Sequence, residues 1–335
     1  MSQSLRWGIV GVSEIAHDFC VALNLKFTRC DHEIVAVSSQ SRGRAELFAK
    51  EHGIPKVCPD YKSLAADDQV EVVYISVLNP LRYEVCKMMI EYKKHIVCEK
   101  PLCIDRQQVK EILDLAKKSG VFVMEGLWSR FFPVYRYLHQ LMNMKILSNV
   151  KEVYVKHGYN ATCKEKILKK DKGGGVVLDI GVDAIQFVVF IYQEEPKSIK
   201  ASGKINSDGV DLYIQVDMFF SGDRKATIIC SGLQAFENQA TVISKKGPIC
   251  IPDYNCPTKL FGCNGAHEWS LISSKIPLNF TNSLGLRYEA DEVMKCIRSG
   301  KLECEIVPAK DMLLIAQIRD EIRKQIGVRY DSDKS

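Results

Sequence analysis

The chain has 335 residues, of which 46% are hydrophobic and 26% are charged. This composition is typical of a globular protein, and the length predicts two domains rather than one. The formal net charge is only +5, and acidic and apolar residues interrupt the densest basic stretch, 164–172, so we expect no nucleic-acid partner. No run reaches the roughly 18 apolar residues of a membrane span, so we expect no membrane partner.

The 13 cysteines are irregularly spaced and form no C-x-x-C pair. Residues 1–20 carry Arg6, Glu14, His17 and Asp18 instead of the long apolar core of a signal peptide. We therefore expect reduced cysteines and a cytoplasmic protein. No group of His, Cys and Asp residues has the spacing of metal ligands, so we expect no metal.

The first part of the chain alternates short β-rich runs with helical patterns. The predicted strands are 5–10, 33–37, 70–77, 95–98 and 121–125. The predicted helices are 14–25, 41–52, 81–93, 105–118 and 133–143. This alternation predicts an α/β fold with an N-terminal Rossmann domain, built on a doubly wound parallel sheet.

Beyond about residue 150 the pattern changes to longer strand-like runs joined by short polar turns. These runs are 150–157, 198–205, 210–220, 225–231 and 239–244, and helices are predicted at 286–299 and 308–325. They predict a C-terminal α+β domain with an open, mostly antiparallel sheet. We place the two domains at 1–126 and 127–335.

A glycine-containing turn follows the first predicted strand. Set against the dinucleotide pattern G-x-G-x-x-G/A, Gly11 and Ala16 occupy the outer positions and Ser13 the middle one. Small residues let the backbone approach a pyrophosphate at a helix N-terminus. We therefore expect Gly8, Gly11, Ser13, Ile15 and Ala16 at the cofactor, although Ser13 raises the cost of a positive φ. The alternative is an ordinary strand-to-helix turn.

The segment after the second strand, 38–44, distinguishes the two nicotinamide cofactors. An NAD site places an acidic residue near here to bind the ribose 2′-hydroxyl, whereas an NADP site offers hydroxyls and arginine to a 2′-phosphate. The segment has no acid, and Ser39 and Arg42 therefore favour NADP. The alternative is that Arg42 and Arg44 lie on a solvated first helical turn.

The stretch His95-Ile96-Val97-Cys98-Glu99-Lys100-Pro101 places a lysine at the carboxyl end of a buried strand. Ligands of open parallel sheets bind at that edge, so Lys100 is predicted to lie beside the bound molecules. A neighbouring cofactor can lower the pKa of such a lysine, which suits proton transfer.

A third motif begins with three glycines at 173–175, which allow a close approach to a ligand, and continues with helical spacing. Asp179, Asp183 and Gln186 share one face of the predicted helix, whereas its other faces are apolar. Two carboxylates one turn apart on a buried helix would raise one pKa and suit proton transfer. The alternative is a helix-capping Asp179 and a solvent-facing Asp183.

The order of glycine turn, Glu99-Lys100-Pro101 and glycine-rich Asp179 helix resembles the glucose-fructose oxidoreductase and inositol dehydrogenase family over essentially the whole chain. The stretches at 5–10, 124–133, 256–258 and 326–328 are similar to members that oxidise trans-dihydrodiols or D-xylose with NADP. The resemblance implies a Rossmann domain, followed by a sheet domain that lines the substrate site and forms a homodimer. It also implies hydride transfer from a small-molecule diol or sugar to NADP.

The resemblance implies roles for individual residues as well. Lys100 would be the catalytic lysine and Asp179 its supporting carboxylate. Further cofactor contacts are expected from Asn79, Glu99, Lys100, Trp128 and Arg130, and substrate contacts from Trp128, Phe131, His157 and Gln186. The assignment of His157 is made against the more common structural role of a histidine in a strand.

This sequence departs from the family at two further positions. Asp183 stands where similar members have tyrosine and others have histidine, and Arg82 stands where a histidine is common. Our hypothesis is an NADP-dependent oxidoreductase in which Lys100 and Asp183 handle the proton, supported by Asp179. Two alternatives remain: an NADP(H)-binding sensor or regulatory protein with weakened catalysis, and an NAD-dependent sugar or inositol dehydrogenase.

Overall fold

The structure is a computed structural model that describes residues 4–25, 31–147, 149–262 and 265–333. Through residue 126 its elements are, in chain order, β1 (Leu5–Val10), α1 (Glu14–Asn24), β2 (His32–Ser38), α2 (Arg42–His52), β3 (Lys56–Val57), α3 (Tyr61–Ala65), β4 (Val72–Ile75), α4 (Asn79–Glu91), β5 (His95–Glu99), α5 (Arg106–Ser119) and β6 (Val123–Gly126).

A 3-10 turn, Trp128–Phe131, precedes the remaining elements. These are α6 (Pro133–Asn143), β7 (Glu152–Gly158), α7 (Glu165–Leu168), α8 (Val182–Tyr192), β8 (Ser198–Ile205), β9 (Asp211–Phe219), β10 (Lys225–Ser231), β11 (Gln239–Ser244), β12 (Gly247–Pro252), β13 (Lys259–Gly262), β14 (Gly265–Glu268), α9 (Leu286–Arg298) and α10 (Ala309–Ile326).

The chain divides into two compact units. Unit 1 comprises residues 1–102, 110–128 and 271–309, and unit 2 comprises residues 103–109, 129–270 and 310–335. Each unit is therefore assembled from segments that are distant in sequence. Among the described residues, no helix combines the length and apolar character that a membrane span requires.

The described part of unit 1 is built on a six-stranded parallel sheet with the order β3-β2-β1-β4-β5-β6. The central strands are continuous apolar runs because helices cover both faces of such a sheet. In β1, for example, Leu5, Trp7, Ile9 and Val10 are fully buried. This arrangement confirms the predicted Rossmann fold.

Unit 2 contains, among its described residues, an eight-stranded sheet with the order β14-β13-β12-β11-β7-β10-β9-β8. Its neighbouring strands are antiparallel except β7 and β10, which run parallel. Burial alternates along β10, so one face of the sheet packs and the other is more exposed. The prediction of a mostly antiparallel sheet is confirmed.

The predicted helix around Asp179 begins with a π-helical turn, Val177–Gly181, which leads directly into α8. Helix α8 is almost wholly buried and packs on β7 and β10. Single π turns within helices are frequent at functional sites. Sequence periodicity predicted the helix but not the wider turn.

The main elements that the sequence did not predict are short. Strands β12, β13 and β14 have six, four and four residues, and β12 contains Pro248 and Pro252. Proline and glycine normally indicate turns, so these segments were not recognised as strands. These segments form strands because they pair with one another and with β11, although their sequences have little strand propensity.

Candidate active site

The loop that carries Lys100 directly follows β5, at the carboxyl edge of the sheet in unit 1. The buried Arg82 side chain holds this loop: its Nη1 donates to the carbonyl oxygens of Glu99 (2.9 Å) and Pro101 (2.7 Å), on either side of Lys100. Its Nε donates to the Val77 carbonyl at 3.0 Å. Arg82 therefore fixes the backbone from which the Lys100 side chain extends.

Two buried carboxylates support the same loop. Glu125 Oε1 accepts the Leu102 amide at 3.0 Å, and the carboxylate of Glu99 accepts the hydroxyl of Tyr74. Glu99 is only 7% exposed, so its side chain is packed in the interior of unit 1. Burial, followed by the charge of Glu99, raises the pKa of Tyr74 well above its ordinary value and keeps this tyrosine a donor.

The glycine turn after β1 requires glycine at position 11. Gly11 has φ +91°, and a Cβ added there would lie 2.9 Å from Val77 Cγ1 and 3.1 Å from the backbone of Ser76, so only glycine is accommodated. Ser13 has φ −119°, so the expected cost of a positive φ at Ser13 was wrong. Its hydroxyl instead accepts the Ala16 amide at 3.2 Å and caps α1.

Five further predicted cofactor residues of unit 1 lie on four different elements. Gly8 lies in β1, Ile15 and Ala16 lie in the first turn of α1, and Asn79 begins α4. Trp128, which is 7% exposed, begins the 3-10 turn. The free amides at the start of α1 provide the anion-binding groups that a pyrophosphate requires.

The segment after β2 presents hydroxyl and guanidinium groups. Ser39 is nearly buried, and Ser41 caps α2 by accepting the Arg44 amide. The Arg42 side chain is 73% exposed and is paired with Glu46 at 2.9 Å, whereas Arg44 Nη2 donates to the Val12 carbonyl of the glycine turn at 2.9 Å. Arg44 thus braces the turn instead of lying only on the helix surface.

In unit 2, Asp179 and Asp183 form an acidic cluster together with Tyr159. The Tyr159 hydroxyl donates to Asp179 Oδ2, and Asp183 is only 3% exposed. The alternative of a solvent-facing Asp183 is therefore wrong. Burial, then the charge of Asp179 and its hydrogen bond, and then the charge of Asp183 raise the pKa of Tyr159 well above its ordinary value. Tyr159 consequently remains a neutral phenol at physiological pH.

Two more buried tyrosines lie within electrostatic reach of Asp183. The pKa values of Tyr135 and Tyr254 are both raised, chiefly by burial and to a smaller extent by the charge of Asp183. The Tyr254 hydroxyl is 3.1 Å from Nδ1 of His157, which is 5% exposed. Asp183 is thus within electrostatic reach of three phenols, Tyr135, Tyr159 and Tyr254, that other elements contribute.

Arg130 and Gln186 form a buried network within unit 2. Arg130 donates to Gln186 Oε1 at 3.0 Å and to Asp311 at 2.6 Å. The Gln186 amide donates to Ser129 Oγ at 3.0 Å and to the Tyr135 hydroxyl at 2.9 Å. Gln186 and Phe131 have no exposed surface, so the observed contacts of this network are structural.

Two of the three glycines before the π turn, Gly174 and Gly175, closely approach other parts of the chain. A Cβ at Gly174 would lie 2.4 Å from the Ile167 carbonyl oxygen, and one at Gly175, whose φ is +106°, would lie 2.5 Å from Asp211 Oδ1. Asp211 in turn accepts the Val177 amide at 2.7 Å. The close approach that glycine permits here positions the start of the Asp179 helix.

The sequence did not identify Tyr159, and it treated Arg82 only as a departure from the family. Tyr159 lies immediately after β7, far from the Asp179 motif in sequence, so spacing could not link them. The available signal was a tyrosine directly after the end of a strand. Arg82 was identifiable as an unusual buried cation in α4, but its three carbonyl acceptors depend on the fold.

Comparison with known families gives two consecutive matches. Residues 5–127 match the model of an oxidoreductase family with an NAD-binding Rossmann fold. Residues 135–250 match the GFO/IDH/MocA C-terminal domain. The chain is also 36% identical to trans-1,2-dihydrobenzene-1,2-diol dehydrogenase of Danio rerio, over 98% of this chain and 99% of that protein.

Solved structures share the fold at low sequence identity. A 3-ketoreductase from Actinomadura kijaniata in complex with NADP superposes with a TM-score of 0.80 at 19% identity, covering 97% of this chain and 98% of the other. A levoglucosan dehydrogenase in complex with NADH has a TM-score of 0.83 at 17% identity, with the same coverage. The fold therefore occurs with either nicotinamide cofactor.

Proposed function

Since the chain belongs to the GFO/IDH/MocA oxidoreductase family, we propose that it is an NADP-dependent dehydrogenase that oxidises a CH–OH group of a vicinal diol or sugar. The observation that carries this proposal is the similarity, over nearly the full length of both proteins, to trans-1,2-dihydrobenzene-1,2-diol dehydrogenase. Candidate substrates are trans-dihydrodiols of aromatic hydrocarbons and D-xylose.

The proposed cofactor site consists of the glycine turn, the start of α1 and the segment after β2. Gly11 permits the backbone approach, and the first amides of α1 bind the pyrophosphate. Ser39 and Arg42 bind the 2′-phosphate, with Arg42 exchanging its partner Glu46 for the stronger phosphate pair. When bound, the nicotinamide supplies the hydride acceptor for the substrate carbon.

The proposed catalytic groups are Lys100, Asp183 and Asp179. Removal of the hydroxyl proton requires a base, and Asp183 replaces the tyrosine that similar enzymes carry. Tyr159 donates to Asp179, and the carboxylate is held in one orientation as a result. Lys100, on the loop fixed by Arg82, orients the substrate hydroxyl and receives or returns its proton. Trp128 and His157, which keep a small exposed surface, are proposed on the substrate side.

The test is NADPH production with D-xylose and with a trans-dihydrodiol, with NAD in a parallel series. Wild-type protein is expected to reduce NADP, and Lys100→Met to lose turnover while its NADPH affinity stays nearly unchanged. Normal turnover in Lys100→Met would contradict the mechanism. Tight NADPH binding without turnover on any polyol would favour the sensor alternative instead, which Asp183 motivates.

Cofactor preference is tested separately. Arg42→Ala should lower kcat/KM with NADP by about tenfold or more, because a charge-assisted hydrogen bond contributes about 1.5–3 kcal/mol. Its kcat/KM with NAD should change little. An equal loss with both cofactors would mean that Arg42 does not bind the 2′-phosphate.

The oligomeric state and the compartment complete the proposal. We propose a homodimer, because the more exposed face of the unit 2 sheet carries large apolar side chains such as Tyr154, Ile243 and Phe261. We propose a cytoplasmic location because buried cysteines outside any disulfide, such as Cys20, Cys58 and Cys98, suit a reducing compartment. Sedimentation equilibrium and microscopy of a fluorescent fusion test these two statements.

A further inference from the structure

Three side chains with metal-binding atoms converge on one side of unit 1, among residues that the proposed reaction does not use. His17 comes from α1, and Glu51 and His52 are the last two residues of α2. One ligand atom from each of the three lies within 4.8 Å of the others. Imidazole and carboxylate together are a donor set that zinc-class divalent ions prefer.

The contact of His17 with Pro277 shows which ring nitrogen of His17 carries a hydrogen. Its Nε2 is 3.1 Å from the carbonyl oxygen of Pro277, which can only accept, so Nε2 carries the hydrogen. In a neutral imidazole, Nδ1 is then an acceptor. This Nδ1 lies 3.2 Å from Glu51 Oε1, which is also an acceptor. Two facing acceptors repel unless a proton or a cation lies between them.

His52 supplies a second acceptor to the same place. In the part of the chain that the structure describes, its Nε2 is buried and has no hydrogen-bond partner. Contacts with the rings of Phe48 and His17 fix its orientation. A buried ring nitrogen without a partner is costly, and a metal ion bound to its lone pair would remove that cost.

We propose that His17, Glu51 and His52 bind a divalent zinc-class cation that joins α1 to the end of α2. With metal–ligand bonds of about 2.0 Å, neighbouring ligands of a tetrahedral site are about 3.3 Å apart. The separation of His17 Nδ1 and Glu51 Oε1, 3.2 Å, matches this value. The Glu51 side chain is 56% exposed, so ions can enter from solvent and water can complete the coordination.

A second group of possible metal ligands lies elsewhere in unit 1, and an experiment must distinguish metal binding there from binding at His17, Glu51 and His52. Glu292, Cys296 and Cys304 also bring their ligand atoms within 4.8 Å of one another, and thiolates bind zinc strongly. Lys295 already pairs with Glu292 at 3.1 Å, which disfavours a cation there. Cobalt(II) distinguishes the two clusters, because thiolate ligands add an intense near-ultraviolet charge-transfer band that nitrogen and oxygen ligands lack.

The test is a Co²⁺ titration of the chelator-treated, full-length protein carrying Cys296→Ser and Cys304→Ser. We expect one equivalent to bind with visible d–d absorption and without the thiolate band. Adding Glu51→Gln or His52→Ala should weaken binding at least about tenfold, since even changes to outer-shell groups cost this much. His139→Ala, which removes an exposed histidine of α6, is the matched control and should bind normally.

Thermal unfolding with Zn²⁺ provides an independent measurement. Zn²⁺ should raise the unfolding temperature of the double serine variant and of the His139→Ala control, but not that of Glu51→Gln. Glu51 is exposed, so its substitution keeps the fold, and unchanged NADPH binding verifies this. Absence of Co²⁺ binding in the double serine variant, or equal binding after Glu51→Gln and His52→Ala, would overturn the proposal.

Discussion

Arg82, at a position where the family resemblance leads us to expect a histidine, fixes the Lys100 loop by binding its backbone. Its guanidinium has several donors in a fixed planar arrangement, and three carbonyl oxygens around the Lys100 loop accept from it. A histidine could satisfy at most two of them. We infer that Arg82 is a positioning residue that sets the location of Lys100 through the backbone.

Arg82→Met should therefore reduce kcat more than it reduces NADPH affinity. It would also leave buried carbonyl groups without donors, each costing about 1–3 kcal/mol of folding free energy. Steady-state kinetics, NADPH titration and thermal unfolding measure the three effects. Arg136→Met, which changes an exposed arginine of α6, is the matched control. An unchanged kcat would contradict the positioning role.

Tyr159 contacts one of the proposed catalytic carboxylates, Asp179, although it comes from another element. Tyr159→Phe removes the donor to Asp179 but retains the ring. Because a hydrogen bond to a charged group contributes about 1.5–3 kcal/mol, kcat should fall about tenfold to hundredfold. If Tyr159 orients Asp179, the KM for the substrate should change by a smaller factor than kcat.

The comparison for Tyr159 is Tyr213→Phe, which removes a hydroxyl from the partly buried Tyr213 in β9. That variant should retain wild-type kinetics. If both variants lost activity equally, the loss would reflect the stability of unit 2 and would not support a role for Tyr159 at the carboxylates.

At the scale of elements, the sequence predicted what repeats locally. The alternation of buried strands and helices up to residue 126 predicted the parallel sheet. The sequence also predicted correctly that Lys100 follows a strand of this sheet, at the carboxyl edge. The strands β13 and β14 were not predicted, because they are mostly exposed and lack the buried apolar run that marks the equally short β4 and β6. Pairing across the sheet determines such segments.

In the candidate sites, too, the sequence revealed residues that are close together in the chain but not residues that only the fold brings together. The glycine turn and the Asp179 motif were recognisable because their residues are consecutive or one helical turn apart. The bond from Tyr159 to Asp179 and the cluster of His17, Glu51 and His52 were not, because each joins two elements. The expectation of no metal site rested on spacing along the chain, which says nothing about residues that the fold brings together.

Asp211 of β9, whose buried carboxylate accepts the amide of Val177 at the start of the Asp179 helix, makes the stability of the fold depend on pH. Burial raises the pKa of Asp211 from 3.8 to about 6, against the opposing effects of the Val177 amide and of Arg323. The folded state therefore binds more protons than the unfolded state between these values. This contribution to stability is fully present below about pH 4 and is lost as the pH rises through about 6.

Asp211→Asn should accordingly stabilise the protein at pH 8, by up to about 3 kcal/mol for a shift of about two pKa units, and have little effect at pH 4. Thermal unfolding at both values measures this difference. Asp217 lies on the same strand as Asp211. Despite its partial burial, Thr227, Lys225 and Lys200 of the neighbouring strands lower its pKa. Asp217→Asn should thus be destabilising at pH 8. The same sign for both variants would contradict the analysis.

At the scale of the whole molecule, unit 1 depends on a segment, residues 271–309, that lies between two segments of unit 2 in the sequence. Asp18 is fully buried, and its carboxylate accepts the amides of Asn279 (2.9 Å) and Phe280 (2.9 Å). His32 Nε2 is 2.9 Å from Asp291 of α9. A division of the chain at residue 126 would remove these partners and leave buried polar groups of α1 and β2 without them.

We therefore propose that the dinucleotide-binding domain folds stably only with residues 271–309. A fragment of residues 1–126 should unfold at a much lower temperature than the same fragment joined to 271–309 by a flexible linker of about 20 residues, which spans roughly 25 Å. The joined fragment restores the partners of Asp18 and His32, together with the buried side chains Leu286, Ala290 and Val293. Asp18→Asn should weaken the joined fragment but have a much smaller effect on residues 1–126 alone, because the acceptor matters only when its donors are present. Equal stability of the two fragments would show that residues 1–126 form a complete domain, and that the contacts with 279–291 contribute little to its folding.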